Sequence, residues 1–385
     1  MKNLSFILLL FSIGSFCQSK TITILDSLTK EPIDLVHITY SNSSTGNISN
    51  ADGIVKINLQ KDSIYISHIN YKNRVYSSKN LFTKDTLFIH PTLNTLDEIV
   101  LYDYDLKNKL KQVLDNYKKY YYNGQLTNTL TYKENFEIND KIVRLFQAQY
   151  KWWTRYNFFE LNTEVKKQNK LSLEKVDYSK ITSSDKDERN GGFLKSIPLI
   201  KFSNLNFNLI LLAHHTKDVY INSINKNIQT TDINFDADYF EDGKNLFNYK
   251  NSIISIDNKT KSIKYILLNM VYKDNKKVSL SRKSKISYTS ETTKHKVELF
   301  FKKFKNKYSL SYFTSELNGF LTINNEKSKA FSSQKFLITN TEKGKKNKKA
   351  KEINLDKALY DYIPLNKNKE TEILLTKKEI GFIKE

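Results

Sequence analysis

Over residues 231–341, apolar and polar positions alternate with a period of two in one segment after another, which is the spacing of strands that bury a single face. The segments are 233–237, 251–257, 262–272, 278–288, 294–304, 308–314, 320–323 and 331–341, with Asp257-Asn258 and Lys305-Asn306 placed as tight turns. Eight strands in one meander predict a strongly curved antiparallel sheet or partial barrel. Ile254, Ile256, Ile266, Leu268, Leu299, Phe301, Leu310 and Tyr312 include positions of matching parity, so several of them are expected to share an apolar surface that protein fills.

The N-terminal part alternates over shorter runs, 21–25, 35–40, 54–59, 63–69 and 86–90, rich in β-branched and aromatic residues. Asp52-Gly53 is the clearest turn between them, and the economical reading is an antiparallel sandwich. The period then changes. Asp105 is placed to cap a helix whose stripe is Leu106, Leu110, Val113, Leu114, Tyr117 and Tyr121. A hairpin follows over 129–156, turning at Asn139-Asp140 and ending in Trp152 and Trp153. The helix and the segment through the 190s to 210s are the cover available to the curved sheet.

The fold expected is therefore mainly β. Its parts are a leader over 1–17, a sandwich over 18–103, a linking amphipathic helix over 104–122 and a β-rich domain with a curved antiparallel sheet over 123–385. The leader rests on Lys2, an apolar run over 4–16 and the small residue Ser15, the pattern of a secretory signal with cleavage before Gln18. Acylation of Cys17 is the competing fate of that segment. Cys17 is the single cysteine, so a chain beginning at Gln18 has no disulfide, thiol nucleophile or cysteine metal ligand. Localisation in the periplasm or at the outer membrane of a gram-negative cell follows.

Residues 20–103 resemble the carboxypeptidase-regulatory-like domain of gram-negative envelope proteins. The resemblance is carried by Asp26 with Thr29-Lys30-Glu31-Pro32, by Thr45-Gly46 with Asn50-Ala51-Asp52-Gly53, by the run Ile64-Tyr65-Ile66-Ser67-His68-Ile69-Asn70-Tyr71 and by Leu96-Asp97-Glu98-Ile99-Val100. His68 and Asn70 depart from the family pattern, which commonly has a smaller residue and Gly before the Tyr. The resemblance implies a transthyretin-like, seven-stranded sandwich without chemistry of its own. Ser255-Ile256-Asp257 with Ile263, and the run Lys307-Tyr308-Ser309-Leu310-Ser311-Tyr312, look like the uncharacterised β-rich region that follows such domains, and more loosely like the curved sheets of periplasmic lipoprotein carriers.

Charge changes the picture little. Lys and Arg number 62 against 41 Asp and Glu, a formal +21, yet only Arg74, Arg144, Arg155, Arg189 and Arg282 are arginines. Nucleic-acid readers lean on the guanidinium fork, so an excess made of Lys reads as a solvated surface, and no nucleic-acid partner is expected. The run Lys343, Lys345, Lys346, Lys348, Lys349 and Lys351 reads as a solvated loop.

Chemical signals are sparse. His295 and Glu298 fit H-x-x-E but fall on a predicted strand, where they face opposite ways, and no third ligand follows. His214 and His215 are neighbours that would also diverge in an extended segment, and the acidic stretch 182–192 lacks the order of a calcium loop. No metal or cofactor is expected, and neither G-x-S-x-G nor H-E-x-x-H occurs. Trp152 and Trp153 are the candidate ligand or partner residues, against a reading in which one ring fills the core and the other lies at its edge. The expected function is that of a non-enzymatic envelope protein, a binding or interaction module. Its partner would be an envelope protein or an apolar ligand, with peripheral outer-membrane association. The alternatives are a periplasmic carrier of a lipid or acylated ligand in the concave sheet and, last, a hydrolase.

Overall fold

Turn chemistry sets the architecture. Four two-residue turns place both central residues at positive φ, Asn139-Asp140 (49° and 62°), Asp242-Gly243 (49° and 75°), Lys305-Asn306 (48° and 66°) and Asn324-Asn325 (49° and 64°). That geometry matches the twist of the strands it joins, so each turn closes a long hairpin. The computed structural model describes residues 19–40, 46–60, 63–92, 104–156, 164–182, 196–227, 229–280, 286–344, 351–364, 367–368 and 375–384. The leader, the 96–100 motif, 183–192 and most of the basic run lie outside them. The chain divides into two units, Met1–Leu96 with Thr371–Glu385, and Asp97–Glu370.

Among its described residues the first unit has seven strands, β1 (Ser19–Asp26), β2 (His37–Tyr40), β3 (Gly46–Ile48), β4 (Ile54–Asn58), β5 (Ser63–His68), β6 (Tyr71–Ser77) and β7 (Thr86–Ile89), with a short helix α1 (Ser78–Phe82) before the last. They form two sheets, ordered β4-β1-β7 and β3-β2-β5-β6. Alternate residues of both sheets, among them Ile22, Ile24, Ile38, Val55, Ile57, Ile64, Ile66 and Leu87, share one buried cluster, as a sandwich requires. The expectation of an all-antiparallel sandwich needs one correction. β1 and β7 run parallel, because about 60 residues of intervening chain let β7 return in the direction of β1. Gly53, at φ 72°, sits where an added Cβ would meet the Ile24 carbonyl, so its turn requires glycine.

The expected end of the β-rich domain at 385 is also corrected. A C-terminal helix, Lys377–Lys384, belongs to the sandwich unit. Asp52 accepts the Lys377 backbone N–H at 2.7 Å, and the Asn50 amide donates to the Leu375 carbonyl at 3.3 Å. Thr376 and Glu379 exchange side-chain to backbone hydrogen bonds as a capping box, which starts the helix at that point.

The second unit opens with α2 (Leu106–Asp115) and α3 (Tyr117–Tyr120), the expected linking helix broken at Asn116 and packed within this unit. Asp105 caps α2, accepting from the Asn108 N–H at 2.9 Å. Then come β8 (Leu126–Ile138), β9 (Lys141–Thr154), α4 (Val165–Gln168), β10 (Asn169–Ile181), α5 (Ser196–Phe202) and α6 (Leu205–His215). The rest is β11 (Thr216–Lys226), β12 (Thr230–Glu241), β13 (Lys244–Asp257), β14 (Ile263–Tyr272), β15 (Lys276–Leu280), β16 (Ser287–Phe304), β17 (Lys307–Ile323), β18 (Glu326–Lys343) and β19 (Lys367–Asn368).

These strands make one large curved antiparallel sheet, not closed into a barrel. Its order is β11-β12-β13-β14-β16-β17-β18-β8-β9-β10-β19, with β15 pairing beside β16. The meander from β12 to β18 has seven strands where eight were expected. The segments 308–314 and 320–323 are one strand, β17, while 278–288 divides between β15 and the start of β16. A bulge at Ser311 also changes parity within β17, since Leu310 pairs Phe301 but Phe313 pairs Leu299. Phe313 therefore joins the apolar face, and Tyr312, paired with Phe300, turns to the opposite one.

Candidate functional site

One face of the large sheet is covered by protein that is not strand. Ile254, Ile256, Ile266, Leu268, Val297, Leu299, Phe301 and Leu310 are all buried there, in one cluster with Leu106, Leu110, Val113, Leu199, Leu205, Leu209 and Leu212 from the helices. Tyr121, just after α3, anchors the first part of this cover. Its ring meets Phe301 edge-on at 5.8 Å, and its hydroxyl donates to the Ile263 carbonyl (2.9 Å) while accepting the Ile263 N–H (2.7 Å). α5 lies over β16 through Phe202, edge-on to His295 at 4.9 Å. The segment 351–364, which no sequence pattern had marked as cover, brings in Ile353, Leu355, Leu359, Tyr360 and Ile363.

α6 differs from an ordinary surface helix. A helix with one side to solvent carries polar residues on that side. Here Leu205, Leu209, Leu212 and Ala213 are buried along with Asn206 and Asn208, the Asn208 amide donating to the Phe202 and Asn204 carbonyls, and Phe207, Ile210 and Leu211 are apolar on the half-buried remainder. Among the described residues no single helix is long and apolar enough to cross a membrane, although α5 and α6 together, bent by 75°, match that length and composition.

Within the covered face runs a polar band. Arg144 on β9 is fully buried, and its Nε donates to the Glu134 carboxylate on β8 at 2.8 Å. Tyr132 donates to the other carboxylate oxygen at 2.5 Å, and the Gln334 amide on β18 donates to it at 3.4 Å. The guanidinium lies between the rings of Phe136 (4.8 Å) and Tyr360 (4.0 Å), so cation–π contact replaces part of its lost hydration. Burial, reinforced by the charge of Glu134, holds the phenols of Tyr132 and Tyr150 far above the usual range, and both stay protonated. Further along, Ser315 shares a 2.8 Å hydrogen bond with His295, whose pKa burial pushes down to about 3. Ser315, Gln334 and Glu134 stand opposite one another across β17, β18 and β8, which makes the band continuous.

Three atoms of this band have no hydrogen-bond partner although they are buried: the Tyr150 hydroxyl, the Ser332 hydroxyl and Gln334 Oε1. Sequence reasoning missed the band. The available signal was parity, because Arg144 lies in step with Phe146, Ala148, Tyr150 and Trp152, and Glu134 in step with Tyr132 and Phe136.

Trp152 and Trp153 point to opposite faces of β9. Trp152 is buried, donates to Asn169 Oδ1 at 3.0 Å and packs on Phe336, whereas Trp153 is half-buried and donates to the Gly344 carbonyl at 3.3 Å. They do not form one stacking surface. His295 faces the cover and Glu298 the opposite side, where Lys296 holds it at 2.9 Å. His214 and His215 end α6 rather than lying in an extended segment, because residues 205–213 are helical. His214 is exposed and His215 stacks on Tyr239 at 5.5 Å. Among the described residues no three His, Cys, Asp or Glu side chains are grouped to hold a metal ion.

No protein-family model and no curated protein matches the chain. Solved structures similar to it include a DUF1329 family protein from Desulfovibrio piger, with a TM-score of 0.26, 9% identity, and coverage of 62% of this chain and 91% of that one. A LolA superfamily protein from Nitrosomonas europaea superposes with a TM-score of 0.25, 6% identity, and coverage of 62% and 96%. TM-scores of this size leave the function to be argued from the chain's own residues.

Proposed function

We propose that the protein is an exported, non-enzymatic carrier that takes an amphiphile onto the covered face of its large sheet when α5 and α6 lift away. The observation that carries this reading is the half-buried side of α6, where Phe207, Ile210 and Leu211 are apolar, while the buried side holds Leu205, Leu209, Leu212 and Ala213 together with Asn206 and Asn208. A helix that only roofed a core would expose polar residues outward. One that leaves the sheet for a lipid surface or a bound chain carries apolar groups on its outer side as well. The wide apolar floor of the sheet would then accept an acyl chain, since ligand sites are apolar with a few placed polar groups. Seven strands in two sheets support the further reading of the first unit as a regulatory-like module, the part that would dock on an envelope partner.

The test is detergent-free purification of the protein expressed with its own leader, followed by native mass spectrometry and solvent extraction. The expected result is about one lipid per chain. A protein that carries no lipid and takes up none from vesicles contradicts the carrier reading and returns the protein to the class of interaction modules.

A further inference from the structure

We infer that the buried band around Glu134 is the recognition site for an uncharged, hydrogen-bonding head group, an ester or glyceryl alcohol at the end of the carried chain. This inference rests on the carrier reading and specifies its ligand. Glu134 and Arg144 already pair at 2.8 Å, so the band has no net charge left for a third ion. A charged head group would have to be desolvated beside an ion pair that is already complete, which is costly in a buried setting. The remaining capacity is neutral. Tyr150 offers a hydroxyl without a partner, and Gln334 offers Oε1 without one. The orientation of that amide follows from chemistry, because its other end must donate to the Glu134 carboxylate.

One hydroxyl donor and one carbonyl acceptor complement a molecule that has both an ester carbonyl and an alcohol. Unpartnered polar atoms in a sealed apolar core destabilise it, and a ligand that used these two would recover that cost. Tyr150 and Gln334 both lie about Glu134, which accepts from the Gln334 amide. Tyr132 and Tyr150 approach with ring centres 6.1 Å apart, and the charge of Glu134 acts on both phenols.

The experiment titrates the full chain with 1-monooleoylglycerol and with oleate, for wild type, Tyr150→Phe and Gln334→Met. Wild type is expected to bind the glyceride at least about tenfold more tightly than oleate at neutral pH. Each variant is expected to lose about tenfold for the glyceride with oleate binding unchanged. Tyr150→Phe should leave the thermal midpoint unchanged or raised, whereas Gln334→Met, which also removes a hydrogen bond to Glu134, should lower it. A structural role for the Tyr150 hydroxyl would instead lower the midpoint of Tyr150→Phe. If wild type binds both ligands and the variants bind the glyceride as well as wild type does, the inference is overturned while the carrier reading stands. If wild type binds neither, both fall.

Discussion

The two units bury polar groups in different ways. In the sandwich such groups tie down loops. Asp26 accepts the N–H groups of Leu28 (2.6 Å) and Thr29 (3.1 Å) and the Tyr71 hydroxyl (2.8 Å). Asn50 Oδ1 accepts from Asp52 and Ile54, and Ser49 links Val36 to Ile33. Among the described residues of that unit, every buried polar side-chain atom has a partner. In the large unit many buried polar groups sit in mid-strand, Glu134, Arg144, Ser315 and Gln334 among them, and several side chains, such as Tyr150 and Gln334, leave hydrogen-bonding capacity unused. Polarity at a turn stabilises the fold. Polarity in mid-strand with capacity to spare costs stability unless a ligand uses that capacity.

The largest effect expected from breaking this contrast is Arg144→Met, which strands Glu134 in the core. Removing one partner of a buried ion pair costs about 3–5 kcal/mol, so the large unit should melt on the order of 10 °C lower while hydrogen exchange in β1 and β4 stays as in wild type. Equal loss in both units would contradict the placement of the pair.

Acid should act on both units alike. His37 in the sandwich and His295 in the large sheet each have a pKa pushed down to about 3 by burial. The unfolded chain therefore takes up protons that the folded chain refuses. Stability is full above about pH 6.5 and falls as pH drops toward 3, by about 2 kcal/mol per histidine at pH 5. His295→Gln should flatten the acid dependence of exchange in β16 and leave that of β2, and His37→Gln should do the reverse. Unchanged profiles in both variants would refute the assignment.

Smaller effects separate the two kinds of buried polarity most sharply. Asn50→Ala removes the acceptor of two turn N–H groups and should lower sandwich stability by about 1–2 kcal/mol in denaturant melts. Tyr150→Phe, which removes a hydroxyl with no partner, should leave the large unit within about 0.5 kcal/mol of wild type or stabilise it. A loss of 1 kcal/mol or more would show that the hydroxyl serves the fold.

Much of the large sheet was legible because its strands bury one face, and alternation is the direct imprint of that condition. Turns such as Asn139-Asp140 and Lys305-Asn306 were legible because their residues tolerate positive φ. Strand ends were harder. β17 reads as two strands since Asn318-Gly319 between 308–314 and 320–323 is turn chemistry by itself, and the merger of the two segments depends on partners distant in sequence. The cover from 351–364 carries no period of its own, being held by Leu171 and the cluster beneath it. The polar band was hidden for a related reason. A Glu between aromatics reads as a solvated position until the topology sets β8 between β9 and β18, which brings Arg144 and Gln334 to it.

The most direct test of the covered face as a ligand site is hydrogen exchange across α6, residues Leu205–His215, with and without a saturating amphiphile such as 1-monooleoylglycerol. Loading is predicted to speed exchange in α6 and α5 as they leave the sheet, to slow it in β16 and β17, and to leave β1 and β4 of the sandwich unchanged. Bound amphiphile with α6 as protected as in the free protein would contradict the account.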